Sequence, residues 1–224
     1  MRQKGTSRRA FLGGALVAGS LAGMRFAPRE AFAQTEFSPE EALKELMEGN
    51  RRFVSGRMTA PAHDLELLRT NAAEKQEPFA AVLCCADSRA PVELIFDQSI
   101  GHVFVCRIAG NITTPEIIAS LEDGAAVLGT RAILVLGHSN CGAVSATIKG
   151  HAVPGQISAL YARIRPAVDE AGPHLEAATR ANAKMHATLL REASPVIAGL
   201  VREKKIQVVA GYYDVSRGAV TLVD

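Results

Sequence analysis

The chain has 224 residues, 48% hydrophobic and 21% charged, with 25 Lys plus Arg against 23 Asp plus Glu. That length allows one domain or two small ones, and the composition excludes a disordered or collagen-like chain. A formal charge of +2 is too weak a bias for a nucleic-acid partner, and four cysteines are too few for a disulfide scaffold.

The charge is unevenly placed. Residues 1–33 hold six bases (Arg2, Lys4, Arg8, Arg9, Arg25, Arg29) and a single acid, Glu30. A basic start leads through Ser7-Arg8-Arg9-Ala10-Phe11-Leu12 into an apolar run ending at Met24, and Ala31-Phe32-Ala33 fits a small-x-small cleavage site. This layout predicts a bacterial export signal, its paired arginines resembling a twin-arginine signal, and hence a periplasmic or otherwise exported protein. The apolar run is too short and Gly-rich for the roughly 20 residues of a membrane span, so none is expected after cleavage. Removing six bases and one acid from 25 and 23 leaves 19 and 22, a net −3 over the remaining 191 residues.

Ser38-Pro39-Glu40-Glu41 opens a helix over residues 39–53: Ser38 caps, Pro39 suits the first turn, and Glu41 completes a capping box. The polar segment 55–75, with Pro61 and His63, reads as surface. Apolar runs at 79–84, 103–108, 132–136 and 206–212 read as buried strands. Helices are expected between them at 91–96, 115–128 and 143–149, with several more between 156 and 203. Continuous apolar strands alternating with helices predict one α/β domain over residues 34–224, its mostly parallel sheet covered on both faces. The run 219–223 predicts an antiparallel partner at a C-terminal edge hairpin.

Two segments carry chemistry. Cys85-Ala86-Asp87-Ser88-Arg89 follows the first strand, and His138-Ser139-Asn140-Cys141-Gly142 follows the third. Ligands of open α/β sheets bind beyond the carboxyl ends of strands where strand order reverses, so adjacency of these strands would bring the segments together. Cys85, His138 and Cys141 then offer two thiolates and an imidazole, a set suited to Zn²⁺. Asp87 is either a fourth ligand or a neighbour of a water there, and Arg89 is placed to pair with it. Three strong ligands and one switchable carboxylate follow the catalytic rather than the structural zinc pattern.

These segments, with Ile95-Phe96-Asp97-Gln98, Phe104-Val105-Cys106-Arg107, Ala109-Gly110-Asn111 and the tail Gly211-Tyr212-Tyr213-Asp214, resemble the β-class carbonic anhydrases across nearly all of the chain beyond the signal. The resemblance implies zinc on Cys85, His138 and Cys141, and an Asp87–Arg89 dyad gating the fourth zinc position. It implies reversible hydration of carbon dioxide to bicarbonate by zinc-bound hydroxide. It also implies a homodimer or dimer-based oligomer, with the N-terminal helix packing on a partner. The amide of Gln98 and the N–H of Gly142 are then expected to polarise a substrate oxygen. The alternatives are a carbonyl sulfide or carbon disulfide hydrolase on the same site, or a non-catalytic zinc- or bicarbonate-binding protein.

Cys84 and Cys106 read as core strand residues, with a Cys84–Cys106 disulfide open to an exported protein. His63, His102, His151, His174 and His186 read as surface residues.

Overall fold

The computed structural model describes residues 35–60, 64, 76–151 and 153–223. Residues 1–33, read from the sequence as an export signal, lie outside the described residues, as do Pro61 and His63. Five strands, β1 (Ala80–Cys84), β2 (Val103–Arg107), β3 (Ala132–His138), β4 (Gln207–Asp214) and β5 (Ala219–Val223), form one sheet in the order β2-β1-β3-β4-β5. The first three pairings are parallel and β4–β5 is antiparallel, as the α/β reading with a terminal hairpin expects. Every residue of β1 and β3 is buried, which explains apolar runs with no polar alternation.

Side chains alternate between two cores. Ala80, Val82, Cys84, Leu134 and Leu136 face one core, and Ala81, Leu83, Ile133, Val135 and Cys106 the other. Cys84 and Cys106 thus lie on opposite faces of the sheet, and both are free thiols. No disulfide can join them without breaking the sheet, which corrects that alternative.

The first core is closed by α1 (Pro39–Val54) and the one-turn α2 (Val92–Ile95). The capping box is formed: the Ser38 hydroxyl accepts the Glu41 N–H at 3.2 Å, and the Glu41 carboxylate accepts the Ser38 N–H at 2.7 Å. From the inner side of α1, Asn50 donates to the Ile95 and Gly218 carbonyls at 3.1 and 2.9 Å and accepts the Val220 N–H at 2.9 Å. Buried polar contacts of this kind are worth about 1 kcal/mol each and fix the helix on this chain's own sheet.

The second core is closed by α3 (Pro115–Glu122), α6 (Leu175–Ala193) and α7 (Pro195–Arg202). Where one helix was expected to run to residue 128, α3 instead widens into a π-helical turn at Asp123–Val127. Gly124 lies beneath Phe104, where an added Cβ would stand 3.1 Å from the ring, so the turn seats the smallest residue there. A third cluster holds Cys85, Cys141, Ile112, Val144 and Ile164, between α4 (Gly142–Lys149) and α5 (Ser158–Ala171) at the carboxyl end of the sheet.

Candidate metal centre

Cys85 is the first residue beyond β1, and His138 is the last of β3. Pairing with β4 carries β3 two residues past its apolar run, so that His138 lies opposite Tyr213. Because β1 lies between β2 and β3, the chain leaves β1 and β3 in opposite directions, and a crevice opens above them. Asn140 then turns the chain at φ 56°, a conformation Asn tolerates, and brings Cys141 back beside His138 as the residue that caps α4.

The ligand atoms of Cys85, His138 and Cys141 all lie within 4.8 Å of one another, and all three residues are buried. Tetrahedral zinc asks for ligand atoms about 3.5–4 Å apart, a small inward adjustment. The His138 Nδ1 lies 3.0 Å from the Ser139 carbonyl, to which it donates, leaving Nε2 as the lone-pair nitrogen. That Nε2 is buried and has no hydrogen-bond partner among the described residues. A buried acceptor turned toward two thiols is the chemistry of a soft-metal site, so these residues fit zinc.

The four cysteines are electrostatically distinct. Hydrogen bonding from the Cys141 thiol, against the cost of burial and with help from the Gly110 amide, holds Cys85 well below the usual thiol range. The resulting thiolate and burial hold the Cys141 proton in place, although the free N–H groups of Val144 and Ala143 at the start of α4 favour ionisation. Both thiols ionise together only with a cation between them. Burial pushes Cys84 up to about 12 and Cys106 up to about 11, so both remain neutral core thiols.

Asp87 stands at the rim. Arg89 donates from Nε to Oδ1 at 2.9 Å and from Nη2 to Oδ2 at 2.8 Å, and its backbone N–H reaches Oδ1 at 2.9 Å. These bonds hold the Asp87 carboxyl well below the usual carboxylate range despite some desolvation. Its Oδ2 lies 3.8 Å from His138 Nε2, beside the ligand cluster yet committed to the guanidinium.

The structure therefore brings together Cys85, His138, Cys141, Asp87 and Arg89, with Gly142 adjoining them as the first residue of α4. Gln98 is engaged elsewhere. Its amide nitrogen donates to Glu45 Oε1 of α1 and to the Phe96 carbonyl just beyond α2, both at 3.1 Å, so within one chain its hydrogens are engaged by the protein rather than by a substrate oxygen. His186, expected at the surface, is buried in α6 because its helical face packs inward, and burial lowers its pKa to about 4.

Two supporting residues escaped the sequence reading. Arg107, at the end of β2, donates to the carbonyls of Cys85 and Asp87. Gly110 donates its N–H to Cys85 Sγ at 3.3 Å. Both lie within segments quoted above for their resemblance, but no local pattern announces a bond that spans 25 residues.

Fold and centre together give an α/β protein in which three clustered residues could hold a metal ion beside a carboxylate paired to an arginine. Residues 80–220 match the family model described as carbonic anhydrase. The chain belongs to the carbonic anhydrase family. It is 39% identical over 135 residues to carbonic anhydrase 2 of Mycobacterium tuberculosis, a match that takes in 58% of this chain and 65% of that protein. With the carbonic anhydrase of Pseudomonas aeruginosa it shares 29% identity over 198 residues, covering 81% and 88% of the two chains. Among solved structures, a tetrameric β-carbonic anhydrase of Sordaria macrospora superposes with a TM-score of 0.67 at 20% identity, over 82% of this chain and 97% of the other. The Coccomyxa β-carbonic anhydrase in complex with acetazolamide gives 0.64 at 24% identity, over 81% and 86%. The shared fold is that of the β class.

Proposed function

We propose that this protein catalyses the reversible hydration of carbon dioxide to bicarbonate and a proton at a zinc ion held by Cys85, His138 and Cys141. One arrangement carries this function: three buried ligand atoms within 4.8 Å of one another, and Asp87 drawn away from them by Arg89. A structural zinc takes four protein ligands, whereas three and a diverted carboxylate leave one position for exchange. When bound, zinc supplies the Lewis acidity that makes hydroxide available near neutral pH.

The chain's own groups do the rest. With both oxygens paired to Arg89, Asp87 stays ionised and acts only as an acceptor, so it favours a protonated oxygen at the reacting position and repels a bare anion. An O–H turned toward Asp87 leaves a lone pair free to face carbon. Arg89 thereby keeps Asp87 from closing the fourth zinc position. Gly142 opens α4, and we assign to its N–H, which lies in the unpaired first turn, a hydrogen bond to the oxygen that gains charge as carbon dioxide bends. Ile112, Val144 and Ile164 beside the cysteines provide an apolar wall suited to an uncharged gas.

Self-association belongs to the same proposal. β2 is one of the sheet's two edge strands, and Val103, Phe104 and Val105 on it are only partly buried, a surface suited to a second copy. This chain spans just under two thirds (65%) of the length of the mycobacterial carbonic anhydrase it matches. Export through the Arg8-Arg9 signal is likewise proposed from the sequence, and replacing the pair by Lys-Lys is expected to stop it.

Zinc analysis and stopped-flow carbon dioxide hydration test the central proposal. The expected result is about one zinc per chain, with hydration, in the natural protein and in Cys106→Ala, and loss of both in Cys85→Ser. Full activity in Cys85→Ser refutes the ligand set. Zinc-loaded protein inert to carbon dioxide but active on carbon disulfide refutes the substrate, and inertness to both refutes catalysis.

A further inference from the structure

Beneath the metal centre, α6 turns two buried polar side chains, Asn182 and His186, toward the loop that joins β2 to α3. They are four residues apart and so share one helix face. Asn182 Nδ2 donates to the Gly110 carbonyl at 2.9 Å, and His186 Nδ1 accepts the Thr113 N–H at 3.1 Å. From α5, Arg163 adds a bond to the Thr113 carbonyl at 3.3 Å.

Gly110 is the residue whose N–H meets Cys85 Sγ. Its φ of 76° favours glycine, and an added Cβ would stand 2.7 Å from Ile164 Cδ1 and 3.2 Å from Ala143 Cβ. The loop is thus pressed against α4 and α5 on one side and held by Asn182 on the other. Asn182 is fully buried, and its Oδ1 has no hydrogen-bond partner among the described residues. An unsatisfied amide oxygen is a costly choice for a core helix position, where Ala or Leu would pack without penalty. The bond to Gly110 is what Asn182 provides in return.

We propose that Asn182 is a positioning residue for the metal centre. By fixing Gly110, it keeps a backbone N–H on the Cys85 sulfur, which orients that ligand and draws electron density from it. The proposal rests on the zinc ligands assigned above, but its readouts do not require carbon dioxide turnover.

The test compares Asn182→Ala and Asn182→Asp with the natural protein and with Leu190→Ala, a fully buried core position on the same helix. Zinc affinity is measured by competition with a chelator, and the thiolate-to-metal charge-transfer band is recorded after Co²⁺ replaces zinc. Both Asn182 variants are expected to lose about 10- to 100-fold in zinc affinity and to shift the band. Leu190→Ala is expected to melt earlier while keeping both properties. Folded Asn182 variants with unchanged affinity and band overturn the proposal. If neither variant folds, the ¹¹³Cd-loaded natural protein decides: coupling between cadmium and the Gly110 amide proton is expected, and its absence overturns the proposal. A shifted band in variants of a protein that does not hydrate carbon dioxide would refute the substrate proposed above and leave the role of Asn182 intact. Failure of the natural protein to bind metal would refute both.

Discussion

Both carboxylate oxygens of Asp87 lie in the fork of Arg89, at 2.9 and 2.8 Å, while Oδ2 remains 3.8 Å from the Nε2 of His138. The Arg89 side chain is 48% exposed, so solvent screens the pair and it adds little to stability. Its consequence is positional: the guanidinium holds the Asp87 carboxylate beside the ligand cluster.

Arg89→Ala should therefore separate stability from activity. Zinc content is expected to stay near the natural level and the urea midpoint to change little. The kcat/KM for carbon dioxide hydration should fall by about 100-fold, because Asp87 is then free to close the exchangeable position. Unchanged kcat/KM would remove Arg89 from the mechanism.

His186 makes stability depend on pH. Burial lowers its folded pKa to about 4, so the unfolded chain, with an ordinary value near 6.5, binds the proton first as pH falls. The stabilising contribution is complete above about pH 6.5 and declines toward pH 4, with a slope approaching 1.4 kcal/mol per unit and a total on the order of 3 kcal/mol. Urea melts between these limits should show a shallower slope in His186→Ala than in the natural protein. Equal slopes would mean that His186 does not titrate on unfolding.

Gly49 and Gly199 should respond to alanine in opposite ways. A Cβ at Gly49 would lie 1.7 Å from the Phe96 carbonyl oxygen, a backbone atom that can yield only if α1 moves. Gly49→Ala is expected to cost about 3 kcal/mol or more. At Gly199 in α7 the nearest atom to an added Cβ is the end of the Arg202 side chain at 3.9 Å, so Gly199→Ala should stabilise by up to about 1 kcal/mol. Thermal melts of the two variants give the comparison, and a neutral Gly49→Ala would show that α1 does not lie so closely on residue 96.

Much of the fold was legible because its signals are local. The buried strands show as unbroken apolar runs, and Ser38-Pro39-Glu40-Glu41 states its own helix start. His138 and Cys141 are three residues apart, close enough for one turn to join them. The face of α6 was harder to read. Ala178, Asn182 and His186 are spaced to share one side, beside Ala183, Ala187 and Leu190, but alanines carry little hydrophobic weight and the polar members masked the stripe. His186 accordingly read as a surface residue. Gln98 sits in a segment with catalytic resemblance, yet Glu45, 53 residues earlier, takes one of its amide hydrogens.

Sequence alone determined the candidate ligand types, their place after the first and third strands, the α/β class, and the division of charge between basic residues 1–33 and a mildly acidic remainder. Each of these is written in neighbouring residues or in a short period. Tertiary structure decided that β1 and β3 are neighbours and that Cys84 and Cys106 face opposite cores. It also decided that Gly110 and Asn182 support the Cys85 sulfur, and that Asp87 is held by Arg89 beside His138. These relationships depend on strand order and helix packing, in which residues tens of positions apart come within hydrogen-bond reach, and no local pattern encodes such distances.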